Sequence, residues 1–273
     1  MKLKYLLLLF LSGLCFKDAV SQNLMNPVSA EAWGVGGASA TSQNVFAVFN
    51  NPSAYSDMHQ LQCGIYSEQR LSQTRLSSAA FSLVAPSGLM NFGFAVSHLA
   101  DTFYNQEKIS ASLSKRLSKH FSVGATFSFL AIYTKDLPFR GNFFGELGAF
   151  YDATSKLRFG LFIFNPTQSN YSSFSSDKIP TYGRIGVEYD ISDRLKILFE
   201  AQQQLHEQIL FRGGIRFDMN GLLSLSAGAS DNPVYITMGI GLRLNKFKLD
   251  YAASFHEILG YAPHLGISFP DVK

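Results

Sequence analysis

Apolar and polar residues alternate with a period of two along most of the chain after Leu61. In residues 121–133, most odd positions are Phe, Val, Ala or Tyr, while positions 122, 124, 126 and 128 are Ser, Gly, Thr and Ser. Successive side chains of a β-strand point to opposite faces, so the pattern predicts strands with one apolar and one polar face. The segments are about ten residues long, the length that a tilted strand needs to cross a bilayer. A half-buried sheet in a soluble protein would show the same alternation.

The links between the predicted strands separate these two possibilities. Fourteen strands are predicted, at residues 61–68, 77–85, 89–99, 106–117, 120–134, 143–153, 156–165, 181–191, 194–205, 208–218, 222–230, 234–244, 247–256 and 262–269. The links after even-numbered strands are tight turns, and those after odd-numbered strands are mostly longer, the longest being residues 166–180. Short turns alternating with long loops are typical of a membrane barrel. Because a free strand edge is not tolerated in lipid, we predict an all-β fold, a closed 14-stranded antiparallel transmembrane β-barrel with its short turns and termini in the periplasm.

The first 21 residues have the pattern of a signal peptide. Lys2 and Lys4 form a basic start, residues 5–16 are apolar, and residues 19–21 (Ala-Val-Ser) place small residues at the cleavage site. We therefore predict a signal peptide at residues 1–21, with an uncleaved N-terminal anchor as the alternative. No further apolar run of about 18 residues follows, so no transmembrane helix is predicted.

Composition narrows the class of protein. Charged residues make up 16% of the chain, the net charge is +3 and the mean hydropathy is +0.07, which argues against a helical membrane protein. The near-neutral net charge also argues against a nucleic-acid binder, which would usually show a clustered basic face. After the signal peptide only Cys63 remains, so an internal disulfide is excluded. An exported, aromatic-rich β-protein points to the outer membrane of a Gram-negative cell, with membrane lipid around the barrel.

Residues 22–60 do not alternate, and we predict that they form a plug ahead of a barrel at residues 61–273. Small residues allow close packing against a wall, and Asn-Pro initiates turns. The glycines lack the spacing of a phosphate-binding loop. The predicted plug contacts are Gly34, Gly36, Gly37, Asn50, Asn51 and Pro52.

Counting residues away from two turns predicts a row of charges in the lumen. A turn centred on Ser192 would place Glu188 opposite Lys196 and Arg184 opposite Glu200. A turn centred on His206 would place Glu200 opposite Arg212. These residues share the polar face, so we predict a lumen charge network with these members: Arg184, Glu188, Lys196, Glu200 and Arg212. The alternative is a set of separate, solvated charges.

Catalytic and metal-binding patterns are not evident. The six histidines are scattered, no serine stands out beside one of them, and no ligand spacing for a metal is present. We therefore expect no enzyme activity and no cofactor.

Two stretches carry a resemblance to a known family. Residues 33–38 (WGVGGA), followed by residues 44–54 (NVFAVFNNPSA), resemble the N-terminal signature of PorV/PorQ-like outer-membrane proteins, which are relatives of the fatty-acid transporter FadL. Residues 239–242 and 249–252 near the C-terminus are also similar. The resemblance implies an accessory or docking subunit of an outer-membrane secretion or assembly machine, as in type IX secretion, with other outer-membrane subunits as partners. The alternative that it implies is a FadL-like transporter with a hydrophobic small molecule in its lumen. The loops at residues 204–207 and 230–233 are too short to build a large ligand-capture site outside the barrel, which favours the docking role.

Overall fold

The structure is a computed structural model that describes residues 26–70, 76–172, 177–257 and 260–270. The predicted signal peptide at residues 1–21 lies outside the described residues, as does the start of the predicted plug. Among the described residues, no helix combines the length and the apolar character needed to cross a membrane.

The described strands form one closed antiparallel barrel, which confirms the predicted fold class. Each strand pairs with its neighbours in sequence, and β1 pairs with β14 to close the wall. The predicted strand ends agree with the observed ones to within three residues. The strands are β1 Gln62–Gln69, β2 Ser77–Ala85, β3 Asn91–Ala100, β4 Tyr104–Arg116, β5 Phe121–Thr134, β6 Arg140–Asp152, β7 Leu157–Phe164, β8 Tyr182–Asp190, β9 Leu195–Gln204, β10 Ile209–Asp218, β11 Leu223–Asp231, β12 Val234–Leu244, β13 Phe247–His256 and β14 Gly260–Phe269.

Burial is reversed relative to a soluble sheet, because the large apolar side chains are the exposed ones. Phe127 is 60% exposed and Ile185 is 59% exposed, whereas Ser128 and Thr237 on the other face are fully buried. An apolar outer band with a polar interior is the arrangement that a barrel has in a bilayer.

The links do not keep the strict alternation of lengths that the sequence suggested. Residues 165–181 between β7 and β8 form the longest link, but only residues 232 and 233 join β11 to β12, which is as short as any turn at the opposite end. The closed hydrogen-bonded wall, rather than loop length, therefore establishes the barrel. We call the end with the links after odd-numbered strands the loop end and the opposite end the turn end.

Residues 26–60, which we call the plug segment, lie inside the barrel. They contain two short helices, α1 (Ala30–Trp33) and α2 (Ala47–Asn50). Ser29 caps α1, since its hydroxyl accepts a hydrogen bond from the amide of Ala32 at 3.3 Å. Apolar residues of the plug segment form one buried cluster with side chains from strands around the wall, including Tyr66, Ala95, Phe150 and Ala252.

Candidate functional site

Glycines of the plug segment contact the wall through their backbone. Gly36 and Gly37 have φ angles of 78° and 87°, in the left-handed region that favours glycine. The amide of Gly36 donates a hydrogen bond to Oγ1 of Thr237 at 2.9 Å. A side chain at Gly36 would overlap the backbone of Ala229, and one at Gly34 would overlap Ser226. These positions need glycine because the plug segment touches the wall directly.

The wall has matching glycines, which the sequence reasoning missed. A Cβ atom added to the inward-facing Gly124 would overlap the backbone of Pro52, and one added to Gly160 would overlap Ala40. A Cβ atom added to Gly228 would overlap the backbone of Gly36. Glycine at an inward position of an alternating strand was the available signal, because a strand interior otherwise disfavours it.

The predicted asparagines hold the plug segment together. Nδ2 of Asn51 donates to the carbonyl of Ala40 at 2.7 Å, and its Oδ1 accepts from the hydroxyl of Ser53 at 2.6 Å. Asn50 exchanges two hydrogen bonds with the backbone of Val28. Each asparagine therefore joins parts of the plug segment that are distant in sequence.

The predicted register between β8 and β9 is wrong by two residues. Arg184 lies opposite Gln202, and Glu188 lies opposite Leu198. The turn is centred on Asp193 rather than Ser192, and moving the centre by one residue shifts the pairing by two. A two-residue shift leaves every side chain on its predicted face. The register between β9 and β10 is as predicted, with Glu200 opposite Arg212.

Three of the five predicted lumen charges nevertheless come together. Oε1 of Glu200 lies 3.2 Å from Nη1 of Arg212 and 3.8 Å from Nε of Arg184. Gln202 joins them, since its Oε1 accepts from both arginines at 2.8 and 3.0 Å. All these side chains are buried.

Glu200 also holds the plug segment, which was not predicted. Its Oε2 accepts hydrogen bonds from the backbone amides of Ser39 at 2.8 Å and Ala40 at 2.7 Å. Nη1 of Arg184 donates to the hydroxyl of Ser39 at 3.1 Å. Charge-assisted hydrogen bonds of this kind are stronger than neutral ones. We call Arg184, Glu200, Gln202 and Arg212 the plug anchor.

The other two predicted charges form a separate group nearer the turn end. Oε1 of Glu188 lies 3.0 Å from Nζ of Lys196 and 2.5 Å from Nη1 of Arg158. Arg158 also bonds Asp190 at 2.6 Å. The predicted network thus divides into two groups. Of the two, only the plug anchor forms the contacts with Ser39 and Ala40 of the plug segment.

On the loop-end side of the plug anchor, the lumen contains an aromatic cluster. The rings of Phe164 and Tyr182 stack at 4.8 Å. Ile179, from the link at residues 165–181, packs into the cluster, and its carbonyl accepts from Asn165 at 2.8 Å. Burial raises the pKa of Tyr171, in the same link, to about 12. The members of the cluster are Leu130, Ile132, Phe144, Phe162, Phe164, Ile179 and Tyr182.

An ion pair borders this cluster. Nζ of Lys108 lies 2.5 Å from Oε1 of Glu146, and both side chains are buried. The ammonium group also lies 5.0 Å from the ring centre of Phe164 and 5.5 Å from that of Phe144, within cation–π range. The pair places opposite charges next to aromatic rings without adding net charge to the lumen.

The structure corrects one observation about the histidines, because Ser254 does lie beside His264. Its hydroxyl is 2.9 Å from Nε2 of His264, and Nδ1 is 3.3 Å from a carboxylate oxygen of Glu68. Ser254 is buried, and its backbone lies within the ladders to β12 and β14. The ring of Trp33 stacks on His264 at 4.4 Å, so this cluster packs the plug segment against the wall. Among the described residues, no group of three His, Cys, Asp or Glu could hold a metal ion.

Comparison with solved structures identifies the fold. No family model matches the chain, and no curated protein matches it either. Solved structures of bacterial channels do match over almost their whole length. The fold is that of FadL-like transporters.

Three of these structures illustrate the extent of the similarity. The monoaromatic hydrocarbon channel CymD has a TM-score of 0.68 and 13% identity, over 92% of this chain and 99% of that one. A FadL homologue of Pseudomonas aeruginosa has a TM-score of 0.65 and 12% identity, over 90% and 98%. The toluene transporter TbuX of Ralstonia pickettii has a TM-score of 0.64 and 12% identity, with the same coverage. At this level of identity the likeness is one of fold.

Proposed function

We propose that this protein is a channel of the Gram-negative outer membrane for hydrophobic small molecules. The aromatic cluster is the observation that carries the proposal. Most inward positions of the wall hold Ser, Thr, Gly or charged residues, yet near the loop end closely packed, buried rings fill part of the lumen. Apolar surface inside a polar lumen offers a hydrophobic solute a favourable environment on its way through the barrel.

The link at residues 165–181 supports this role by its position. Ile179 covers the cluster from the loop end, and Asn165 ties the two ends of the link together. A cover made of one loop is easier to displace than a strand of the wall, so the loop end is the proposed entry. The predicted signal peptide would deliver the chain to the periplasm for insertion.

The fold similarity favours the transport alternative over the docking role. Two of the compared structures are named as a monoaromatic hydrocarbon channel and a toluene transporter, and they match this chain over 92% and 90% of its length. The accessory role in a secretion machine, implied by the PorV/PorQ resemblance, stays a prediction that no contact of the described residues supports.

The test is uptake of toluene by cells that express this protein and lack their own hydrophobic channels. We expect faster uptake than in cells with an empty vector. Phe162→Asn should reduce uptake, because a polar side chain in the cluster disfavours an apolar solute. Phe159→Asn is the matched control, since Phe159 lies on the same strand but faces outward and is 36% exposed.

Two results would contradict the proposal. One is uptake equal to that of the empty vector when the barrel is inserted and heat-modifiable. The other is an equal effect of the two phenylalanine substitutions, which would place the solute outside the aromatic cluster.

A further inference from the structure

A charged cavity opens at the turn end, between the plug segment and the inner wall of β9–β13. Its volume is about 180 Å³. Five basic side chains line it, together with three acidic ones. The basic residues are Arg194, Lys196, Arg216, Arg243 and Lys248, and the acidic ones are Glu31, Asp193 and Asp218.

The two lysines are partly neutralised by acidic residues near the lining. Nζ of Lys196 lies 3.5 Å from Asp190, and Nζ of Lys248 lies 3.3 Å from Asp250. The arginines are engaged as well, since Arg216 forms an ion pair with Glu31 and Arg243 donates to the carbonyl of Gly221 at 3.3 Å. An anion that enters the cavity therefore has to compete for these cations. Guanidinium groups bind planar oxyanions through paired N–H donors, which suits them to carboxylates and phosphates.

One carboxylate already occupies part of this wall, and it belongs to the plug segment. Oε2 of Glu31, in helix α1, lies 2.5 Å from Nζ of Lys248, and Oε1 forms an ion pair with Arg216. Arg216 also donates to the backbone carbonyl of Glu31 at 3.1 Å. The contacts of Glu31 show that this wall can hold an oxyanion.

The electrostatics agree with that geometry. Burial alone would raise the pKa of Glu31, but the charges of Arg216 and Lys248 outweigh burial and hold the pKa well below its usual range. The cations therefore stabilise a negative charge at this point strongly.

We propose that the cavity binds a small oxyanion, a carboxylate or a phosphate, which competes with Glu31 for Arg216 and Lys248. The open part of the cavity, next to Arg194 and Arg243, admits the ligand. An anion that takes over these cations releases helix α1, so binding weakens the attachment of the plug segment at the turn end. By linkage, a firmly attached plug segment lowers the affinity for the anion in the same proportion.

The experiment uses the full-length protein in detergent at neutral pH, titrated separately with inorganic phosphate and with acetate at constant ionic strength. Trp33 is the only tryptophan of the chain and lies two residues from Glu31, so its fluorescence reports on α1. Calorimetry measures the affinity independently. We expect saturable binding and an increase in acrylamide quenching of Trp33, and comparison of the two anions tells whether phosphate or carboxylate is preferred.

Variants locate the site. Arg194→Gln combined with Arg243→Gln should weaken binding roughly tenfold or more, since charge-assisted hydrogen bonds are lost. Lys156→Gln combined with Lys246→Gln is the control, because these two turn residues also remove two positive charges but do not line the cavity. Glu31→Gln should bind the anion more tightly, since the internal competitor loses its charge.

The outcomes are distinct. Absence of saturable binding, or equal binding by the wild type and the double variant, refutes the site. Unchanged affinity in Glu31→Gln, or unchanged quenching of Trp33 on saturation, refutes the competition. These measurements do not depend on toluene uptake, so failure of the anion site can be distinguished from failure of the proposed channel function.

Discussion

Replacing Glu200 with glutamine tests the plug anchor most directly. Glu200 accepts hydrogen bonds from the amides of Ser39 and Ala40 with one oxygen and faces Arg212 and Arg184 with the other. Glutamine has nearly the same shape but only one acceptor oxygen, and its NH₂ group would face donors. Two arginines would then lie together in a dry environment without a counter-charge.

The expected loss follows from the number of interactions that change. Removing one partner of a buried ion pair costs about 3–5 kcal/mol. Because glutamine keeps one acceptor and Gln202 still serves both arginines, we expect the free energy of unfolding to fall by about 3 kcal/mol, the lower end of that range. Arg184→Gln and Arg212→Gln should each cost about 1–2 kcal/mol, because the remaining arginine still balances Glu200.

The assay is thermal unfolding of the purified barrel in detergent, followed by circular dichroism. Glu188→Gln is the control, since Glu188 contacts Arg158 and Lys196 but forms none of the plug-anchor contacts. Glu200→Gln should lower the unfolding temperature more than either arginine variant, while all variants still insert into membranes. Equal and negligible shifts in the three anchor variants would refute the reasoning, because they would mean that the charges are solvated.

Three further predictions address packing, pH and topology. Gly124→Ala should lower the unfolding temperature, because its Cβ would overlap the backbone of the plug segment, whereas Gly145→Ala, whose Cβ would meet only a carbonyl oxygen at 3.9 Å, should not. Because the pKa of Glu31 is depressed in the folded protein, its contribution to stability is present above its ordinary pKa of 4.5 and is lost as the pH falls below that value. The unfolding temperature of Glu31→Gln should therefore depend less on acid pH than that of the wild type. Identical pH profiles of the two proteins would contradict this prediction. Single cysteines at Asn170 and Asn220 in a cysteine-free background should label differently on whole cells, with Asn170 accessible; labelling of Asn220 alone would reverse the assigned orientation.

The barrel could be predicted because its signal is local. Alternation in residues such as 121–133 follows from strand geometry, in which each side chain faces away from the next. The ends of strands are marked by nearby turn residues, which explains the agreement of the predicted limits with the observed ones. The two faces were also assigned correctly, since a register error of two residues does not exchange them.

Pairing and contacts inside the lumen depended on the tertiary structure. The position of the turn at Asp193 set the register of β8 and β9, and moving its centre by one residue placed Arg184 opposite Gln202 instead of Glu200. The contact of Glu200 with Ser39 joins residues 161 positions apart in sequence. Periodicity carries no information about which plug residue will face a given strand.

The same limit explains why the sequence alone led to the less well supported of two functions. The resemblance at residues 33–54 indicated a FadL-related barrel with a plug, and that much agrees with the fold. The aromatic cluster was not apparent, because its members come from strands β5 to β8 and one link, each with an ordinary alternating pattern. Local backbone geometry determines strands and faces, whereas closure of the barrel decides which inward side chains share one small volume, and the chemistry of the lumen depends on that choice.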